Sequence, residues 1–547
     1  MTPRSCPPLP RAFRTQSVAL ATVVLLACLE PVAVLAADRA NVPLKNWGGF
    51  SVLRDAVYDD LERLVTSGVA DRTVLNTKPM SRTEAARVVA AAIARIRGDE
   101  RGMYNTRGDL EAVLDRLIEE FRAELPALGV KTSHDAPVPQ GGLSFMPVDR
   151  AQVRGAYANH DRSVINSQGL RLRSGLNGGT TFESRAQVGD FLTLYAQPTF
   201  DMNQEYQQGR LASGYGKLTL YNVELLVGRE SLWWGPGLFG SLILSNNAPP
   251  LDQIRIGAAE PFLLPWIGKW IGPTKVLGFL AQLEQRREHP RAKLAGLRGT
   301  ISPFTVLELG ASYANMFDGT DKPRLSLGDY PRALFDPNAA DQKDPNHLRF
   351  RNNALLALDA DLRLRNVNQY FMPWRDMRVY GEFGWDDTCC STFYLPLKEA
   401  ASGLVGVHLL GLFDNEDLDG RVELAVSSKQ SFTHNQFTRG YWTRGHAISH
   451  VIGTDGSSLT TRITNRVTPD VMVGGGLSRM VIGNTLSGAS ATQEHRFGAN
   501  LDVSYRFARV YTLFGQLEVA RVTDRNFVAG DNGFDTIVLL ELTRSFR

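Results

Sequence analysis

The sequence predicts a mainly β protein: a large antiparallel transmembrane β-barrel of about eighteen strands, with a small N-terminal α-helical bundle before it. Three observations carry this expectation: a period-two alternation that recurs to the C-terminus, connectors that alternate between short and long, and an N-terminal region with a helical period. The alternation is clearest at 376–386, where Met377, Val379, Phe383 and Trp385 point one way and Arg378, Tyr380, Glu382 and Asp386 the other. Side chains on a strand alternate faces, so one face is apolar and aromatic and the other charged.

The same pattern recurs in 354–365, where Leu356, Leu358, Ala360, Leu362 and Leu364 oppose Asp359, Asp361 and Arg363. In 497–507, Leu501, Val503 and Tyr505 oppose Asn500, Asp502, Ser504 and Arg506, and in 536–546 Val538, Leu540 and Leu542 oppose Glu541 and Thr543. Tyr221-Asn222, Ser302-Pro303-Phe304 and Ala508-Arg509 read as tight periplasmic turns, whereas Ser231–Pro273, Met316–Asn353 and Lys429–Ser457 read as long outer connections. The last strand ends at Phe546, close to the terminal aromatic common on bacterial outer-membrane barrels. A soluble all-β protein is the alternative, and it would have to cover a very wide apolar belt.

The 547 residues divide into a signal peptide at 1–36, a periplasmic or plug helical bundle at 38–140 and a barrel at 148–547. Arg4, Arg11 and Arg14 precede the apolar run Val18–Leu29, and Val34-Leu35-Ala36 supplies small residues before a cleavage near Ala37. Leu25-Leu26-Ala27-Cys28 also resembles a lipoprotein box, although more apolar sequence follows it. No later run of ~20 apolar residues provides a helical span. Export to the outer membrane of a Gram-negative bacterium is therefore expected. In the bundle, Ser81-x-x-Glu84 is a capping box opening a helix through Ala85, Val88, Val89, Ala92 and Ile96. A second helix starts at Asp109 and ends before Pro126, and an earlier one runs from Ala56 to Ser67 with Gly68 as its stop. The Pro- and Gly-containing segment 133–142 reads as a linker.

A net charge of +3 gives no support to nucleic-acid binding. Removal of the leader leaves only Cys389 and Cys390, read as free or rarely paired loop thiols. The segment 228–256 contains Trp233-Trp234-Gly235-Pro236-Gly237 and Ser245-Asn246-Asn247-Ala248-Pro249, and a second block runs from Arg439-Gly440-Tyr441-Trp442 to Gly456. These blocks resemble the capsule assembly protein Wzi family. The resemblance implies an eighteen-stranded outer-membrane lectin-like barrel with an N-terminal helical bundle. It also implies that the protein binds or retains capsular polysaccharide or a related exopolysaccharide at the cell surface, supporting capsule assembly without catalysis, metal or cofactor. The expected partners are that polysaccharide and outer-membrane lipids, with a monomer the expected state.

The residue chemistry suits sugars, since pyranose C–H faces pack on aromatic rings and hydroxyls pair with amides and carboxylates. Trp233, Trp234, Asn246, Asn247 and Asp252 supply both, and Tyr441, Trp442, Arg444 and His446 add aromatic and cationic groups suited to an anionic polymer. A structural reading competes at each position. Trp-Trp-Gly-Pro-Gly can be a sharp turn at the interfacial belt, Asn-Asn-Ala-Pro can cap a loop helix folded into the lumen, and the second block can be lumenal packing. A porin or channel for sugars or anions is the rival function. An enzyme is disfavoured: the histidines at 408, 434, 446, 450 and 495 are scattered and no Gly-x-Ser-x-Gly elbow occurs. Asn415-x-Asp417-x-Asp419-Gly420 partly copies a calcium loop, but Val426 stands where its late Glu is needed, so an acidic hairpin turn is expected.

Overall fold

The computed structural model describes residues 39–45, 47–71, 73–98, 108–131, 142–323, 325–335, 349–386, 401–434, 437–483 and 492–546. The expected signal peptide, nearly all of the linker and the Cys389–Cys390 pair lie outside the described residues. Among the described residues, eighteen antiparallel strands close into a barrel. The first strand, Leu143–Ala158, completes the ring by pairing with both Gly175–Val188 and the last strand, Gly533–Ser545. It begins ahead of the expected start at Val148, with a register shift between Met146 and Arg150 around Pro147. Phe546 then bonds back from its N–H to the Asp149 carbonyl at 2.8 Å.

Alternation places polar side chains inside and apolar ones outside. In Glu494–Phe507, Arg496, Asn500, Asp502 and Ser504 are buried while Phe497, Leu501, Val503 and Tyr505 are exposed. In Trp374–Asp386, Arg378, Tyr380, Glu382 and Asp386 are buried and Phe383 faces out; Trp385 is covered, its ring 5.0 Å from that of Phe383. This is the reverse of a water-soluble barrel, and the exposed belt of Leu, Val, Ile and Phe requires lipid around it. At the short-turn end, Ala508 and Arg509 adopt φ of 48° and 59°. Two successive positive φ values give the primed turn whose twist matches the flanking strands. In outer-membrane barrels this end faces the periplasm.

One expected connection needs correction. Ser231–Pro273 is not a single outer loop, because Leu251–Ala258 inside it is a barrel strand paired with Val223–Glu230 and Thr274–Gln282. Ile254 and Ile256 face out while Gln253 and Arg255 face in, an alternation too short to stand out beside the Trp- and Pro-rich motif. The result is an outer loop at 231–250 and a separate periplasmic connection at 259–273.

The lumen is filled from both ends. Three helices, α1 (Val57–Thr66), α2 (Arg82–Arg97) and α3 (Gly108–Glu120), share an apolar core that includes Leu61, Leu64, Val89, Leu117 and Phe121. The capping box is present, with Ser81 Oγ accepting from Glu84 N–H at 3.0 Å and the Glu84 carboxylate accepting from Ser81 N–H at 3.3 Å. Arg116 of α3 donates to the Pro469 carbonyl at 3.1 Å, and Arg506 donates to Asp115 at 3.0 Å, which seats the helices at the short-turn end. The segments flanking α1 reach deeper, and loop 231–250 descends to meet them: Thr77 pairs with Trp234 and Lys78 with Trp233 in a two-stranded ladder.

Charge pairs hold this filling to the wall. Arg63 donates to both Asp419 oxygens at 2.5 and 2.6 Å, and Arg466 donates to the same carboxylate at 2.5 Å. Glu308 accepts from the N–H groups of Leu75 and Asn76 and from Arg363. Glu62 sits between Arg378 at 3.2 Å and Arg421 at 2.9 Å; burial alone would raise its pKa, but these cations with Lys78 bring it to about 2. Asp359 and Asp361 meet Arg298, Arg363 and Arg378, which makes them a neutralised lumenal ladder.

Two outcomes follow from a filled, ion-paired lumen. In a planar bilayer the intact protein gives little steady conductance. Asp419→Ala removes the carboxylate that two buried guanidinium groups share, costs about 3–5 kcal/mol and makes the barrel unfold at lower temperature in detergent, read by heat-modifiable gel migration; unchanged migration would count against the ion-pair role.

Candidate functional site

The nine residues expected to meet sugar separate into an interior set and an outer-rim set. Trp233 and Trp234 are fully buried. The Trp233 ring meets Trp47 edge-on at 6.2 Å, and the Trp234 ring meets Phe279 at 5.4 Å. Gly48, at φ 95°, lies under Trp233, where a Cβ would come within 2.8 Å of the indole. Gly235, at φ 141°, leaves no room for a side chain beside the Glu382 carboxylate, 2.7 Å from where its Cβ would stand. The Trp-Trp-Gly stretch therefore folds as a close-packed seam.

Asn246 and Asn247 form no helix; they bridge segments. The Asn246 amide donates to the carbonyls of Leu44 and Trp47, and its own carbonyl accepts from Gln168 N–H at 2.8 Å. The Asn247 carbonyl accepts from Gly169 N–H at 3.1 Å, and its amide donates to the Ala447 carbonyl at 3.2 Å. Tyr441 is fully buried, with its N–H on the Phe432 carbonyl at 3.0 Å.

Ala447 belongs to a small hairpin, Trp442–Thr443 against His446–Ala447, turned by Arg444 and Gly445 at φ 51° and 82°. Thr443 Oγ1 donates to Glu284 at 2.6 Å, and the Trp442 carbonyl accepts from Arg287 at 3.2 Å. The tip projects outward. There Arg444 reaches Asp252 at 3.3 Å, and Arg229 grips the same carboxylate through two bonds of 2.6 and 2.7 Å. Arg171 is exposed close by, 3.8 Å from where a Cβ on Gly445 would stand. Two guanidinium groups thus share one carboxylate at the tip of the hairpin, with a third, Arg171, beside its turn and Trp442 half-buried at its base.

His446 is not part of the cationic surface. Burial, assisted by the Arg171 cation, lowers its pKa to about 4, and burial alone does the same to His450. Arg171 and Arg229 are the rim residues that sequence reasoning missed. Arg229 adjoins the Trp-Trp motif but sits on the outward face of its strand, and Arg171 lies in a two-residue strand without periodicity. Among the described residues, no group of three or more His, Cys, Asp or Glu side chains is arranged to hold a metal ion.

Closed barrel, outward apolar belt, filled lumen and charged rim together define a plugged outer-membrane β-barrel of a Gram-negative bacterium. The profile of the family described as "Capsule assembly protein Wzi" matches residues 149–536. The chain belongs to the capsule assembly protein Wzi family, which is defined by capsule assembly rather than by a catalysed reaction. Among solved structures it is similar to Wzi of Escherichia coli, described as an outer membrane protein involved in group 1 capsule assembly and a carbohydrate-binding β-barrel. The two share 20% identity over 92% of this chain and 99% of that one, at a TM-score of 0.67. It is also 25% identical, over 50% of its length, to an uncharacterized 55.8 kDa protein in the cps region of Klebsiella pneumoniae, and that match spans about half (48%) of the relative's length.

The buried neutral histidines make the outer hairpin sensitive to acid. Their folded pKa values of about 4 lie below the ordinary value, so they contribute stability that is complete above about 6.5 and lost as pH falls through about 4. Limited proteolysis of the 441–453 region is expected to accelerate between pH 7 and pH 4. His446→Asn with His450→Asn should flatten that dependence; an unaltered profile would reject the assignment.

Proposed function

We propose that the protein binds capsular polysaccharide, or a related exopolysaccharide, at the cell surface and helps retain it there during capsule assembly. The observation that carries this reading is the outer rim, where Arg229 and Arg444 share Asp252 and Arg171 stands beside the turn of the hairpin that bears Arg444 and Trp442. Guanidinium groups pair with carboxylate or other anionic substituents in planar, two-point fashion, and an indole face packs on a pyranose ring. The polymer favoured by this chemistry is acidic. Each contact is weak, but a repeating chain presents the same groups many times, so binding at several copies on one cell adds through effective concentration. The carbohydrate-binding character of the E. coli relative supports the same reading.

Trp233, Trp234, Asn246, Asn247 and Tyr441 act in this proposal as supports. Their contacts hold the hairpin that bears Arg444, so their effect on polymer is indirect. The proposed organisation is a leader at 1–36 removed on export, a plug at 38–140 and a monomeric barrel seated in outer-membrane lipid. A filled lumen fits retention better than passage of solute.

Titration of purified protein with acidic polysaccharide tests the rim directly. Arg171→Ala, Arg444→Ala and Trp442→Ala should each weaken binding roughly 3- to 10-fold, with the Arg variants losing part of the salt dependence and the fold unchanged. Loss of the gene should release polysaccharide into the medium while total synthesis persists. Equal affinity in all three variants, or unchanged retention in the deletion strain, would overturn the proposal.

A further inference from the structure

The periplasmic connection 259–273 carries an apolar face left exposed among the described residues. Leu263, Trp266, Ile267 and Trp270 are 60%, 91%, 48% and 64% exposed. They flank and enter the one-turn helix Gly268–Ile271, with Trp266 at φ 63° in the turn that leads into it. Backbone bonds from Gly268 to Leu264, Ile271 to Ile267 and Gly272 to Gly268 hold that helical turn.

The connection is firmly seated at its base. Phe262 and Thr274 exchange two backbone bonds of 2.9 and 2.8 Å, and the N–H groups of Ala259 and Glu260 donate to Asn222 at 3.0 and 2.9 Å. Glu260 pairs with Arg87 of α2 at 2.6 Å. A loop fixed at both ends presents its four large apolar side chains as a preformed surface rather than a mobile tail.

The strands above it explain what that surface meets. On Val223–Glu230 the outward apolar positions are Val223, Leu225 and Val227, and on Leu251–Ala258 they are Ile254 and Ile256. Above them the outward Arg229–Asp252 ion pair interrupts the belt. From Val223 to Arg229, tilted strands rise about 15 Å, against an apolar band about 25 Å tall. Holding the ion pair at the outer headgroups leaves about 10 Å of band below the strand ends, which is where the connection hangs. Tyr221 and Phe304, exposed on the neighbouring turns, continue the same rim. Lys269 lies 4.5 Å over the Trp270 ring, a cation beside an interfacial indole.

We propose that residues 259–273 form an amphipathic hook that inserts into the periplasmic leaflet of the outer membrane. Leu263, Trp266, Ile267 and Trp270 lie among the upper acyl chains, and Lys269 meets phospholipid phosphates. The hook gives a sector of the wall with little apolar height a second grip on the bilayer. It is independent of the polysaccharide reading.

The test is tryptophan quenching of the full-length protein in phosphatidylethanolamine–phosphatidylglycerol vesicles whose acyl chains are brominated just below the headgroup. Trp47, Trp233 and Trp234 are buried in the interior and contribute little quenchable emission. Trp266→Phe with Trp270→Phe is conservative for folding, verified by unchanged heat-modifiable migration, and should remove about half or more of the lipid-quenched emission. Equal quenching in variant and wild type would overturn the proposal. So would hook emission quenched by acrylamide in water and not by brominated lipid, the result expected for a periplasmic protein-docking loop.

Discussion

The rest of the structure depends on the ion pairing between the barrel's inner wall and what fills it. A barrel of this size turns its polar faces inward, and left alone that lumen would hold water, as porins do. Here guanidinium and carboxylate groups from wall and plug replace the water. Arg63 with Asp419, Lys45 with Glu183, Arg378 with Glu62 and Lys275 with Glu84 each join residues far apart in the chain. Buried pairs stabilise modestly because desolvation offsets most of their attraction, but losing one partner is costly. Their main effect is selection. A shifted plug would part these wall and plug charges, so the pairs fix its orientation more than they add strength.

That selection extends to the outer surface through the Trp-Trp-Gly seam. Trp233 and Trp234 pair with Lys78 and Thr77, which ties loop 231–250 to the plug rather than leaving it free above the barrel. Asn246 then bonds to the plug at Leu44 and Trp47, and Asn247 bonds to the hairpin at Ala447. A continuous hydrogen-bonded path runs from the N-terminal segment to the turn that presents Arg444. The orientation of the rim is thus inherited from the interior, and a substitution in the seam disturbs the rim without touching it.

Much of the fold was legible because membrane barrels obey one strict rule. Every strand alternates, and the charged face of Arg378, Tyr380, Glu382 and Asp386 could be read without knowledge of its neighbours. The capping box at Ser81 was equally local. What escaped was non-local. The strand Leu251–Ala258 was hidden because its alternation is brief and follows a motif rich in aromatic and small residues. The site residues were harder still, since aromatic and amide side chains suit a sugar and a packed interior equally well. Trp233 and Asn246 have the right chemistry for binding, but only the fold reveals that the plug has already taken their faces. Arg171 and Arg229 belong to no local motif; strand register sets Arg229 opposite Asp252, and the hairpin turn brings Gly445 to Arg171.

The division between interior and rim also constrains how such a protein can recognise a polymer. A lumenal site would require a chain to thread past matched ion pairs, and each displaced contact would leave a buried charge unpaired. That penalty exceeds what a few sugar hydroxyls return. At the rim, by contrast, Arg229 and Arg444 already share Asp252 near water, where an exposed ion pair contributes little. An incoming carboxylate can exchange with Asp252 at small cost, so the cations are poised without being spent. On the proposed reading, filling the lumen and exposing the arginines are therefore two halves of one arrangement: the interior removes a route for the polymer, and the rim keeps its charges available.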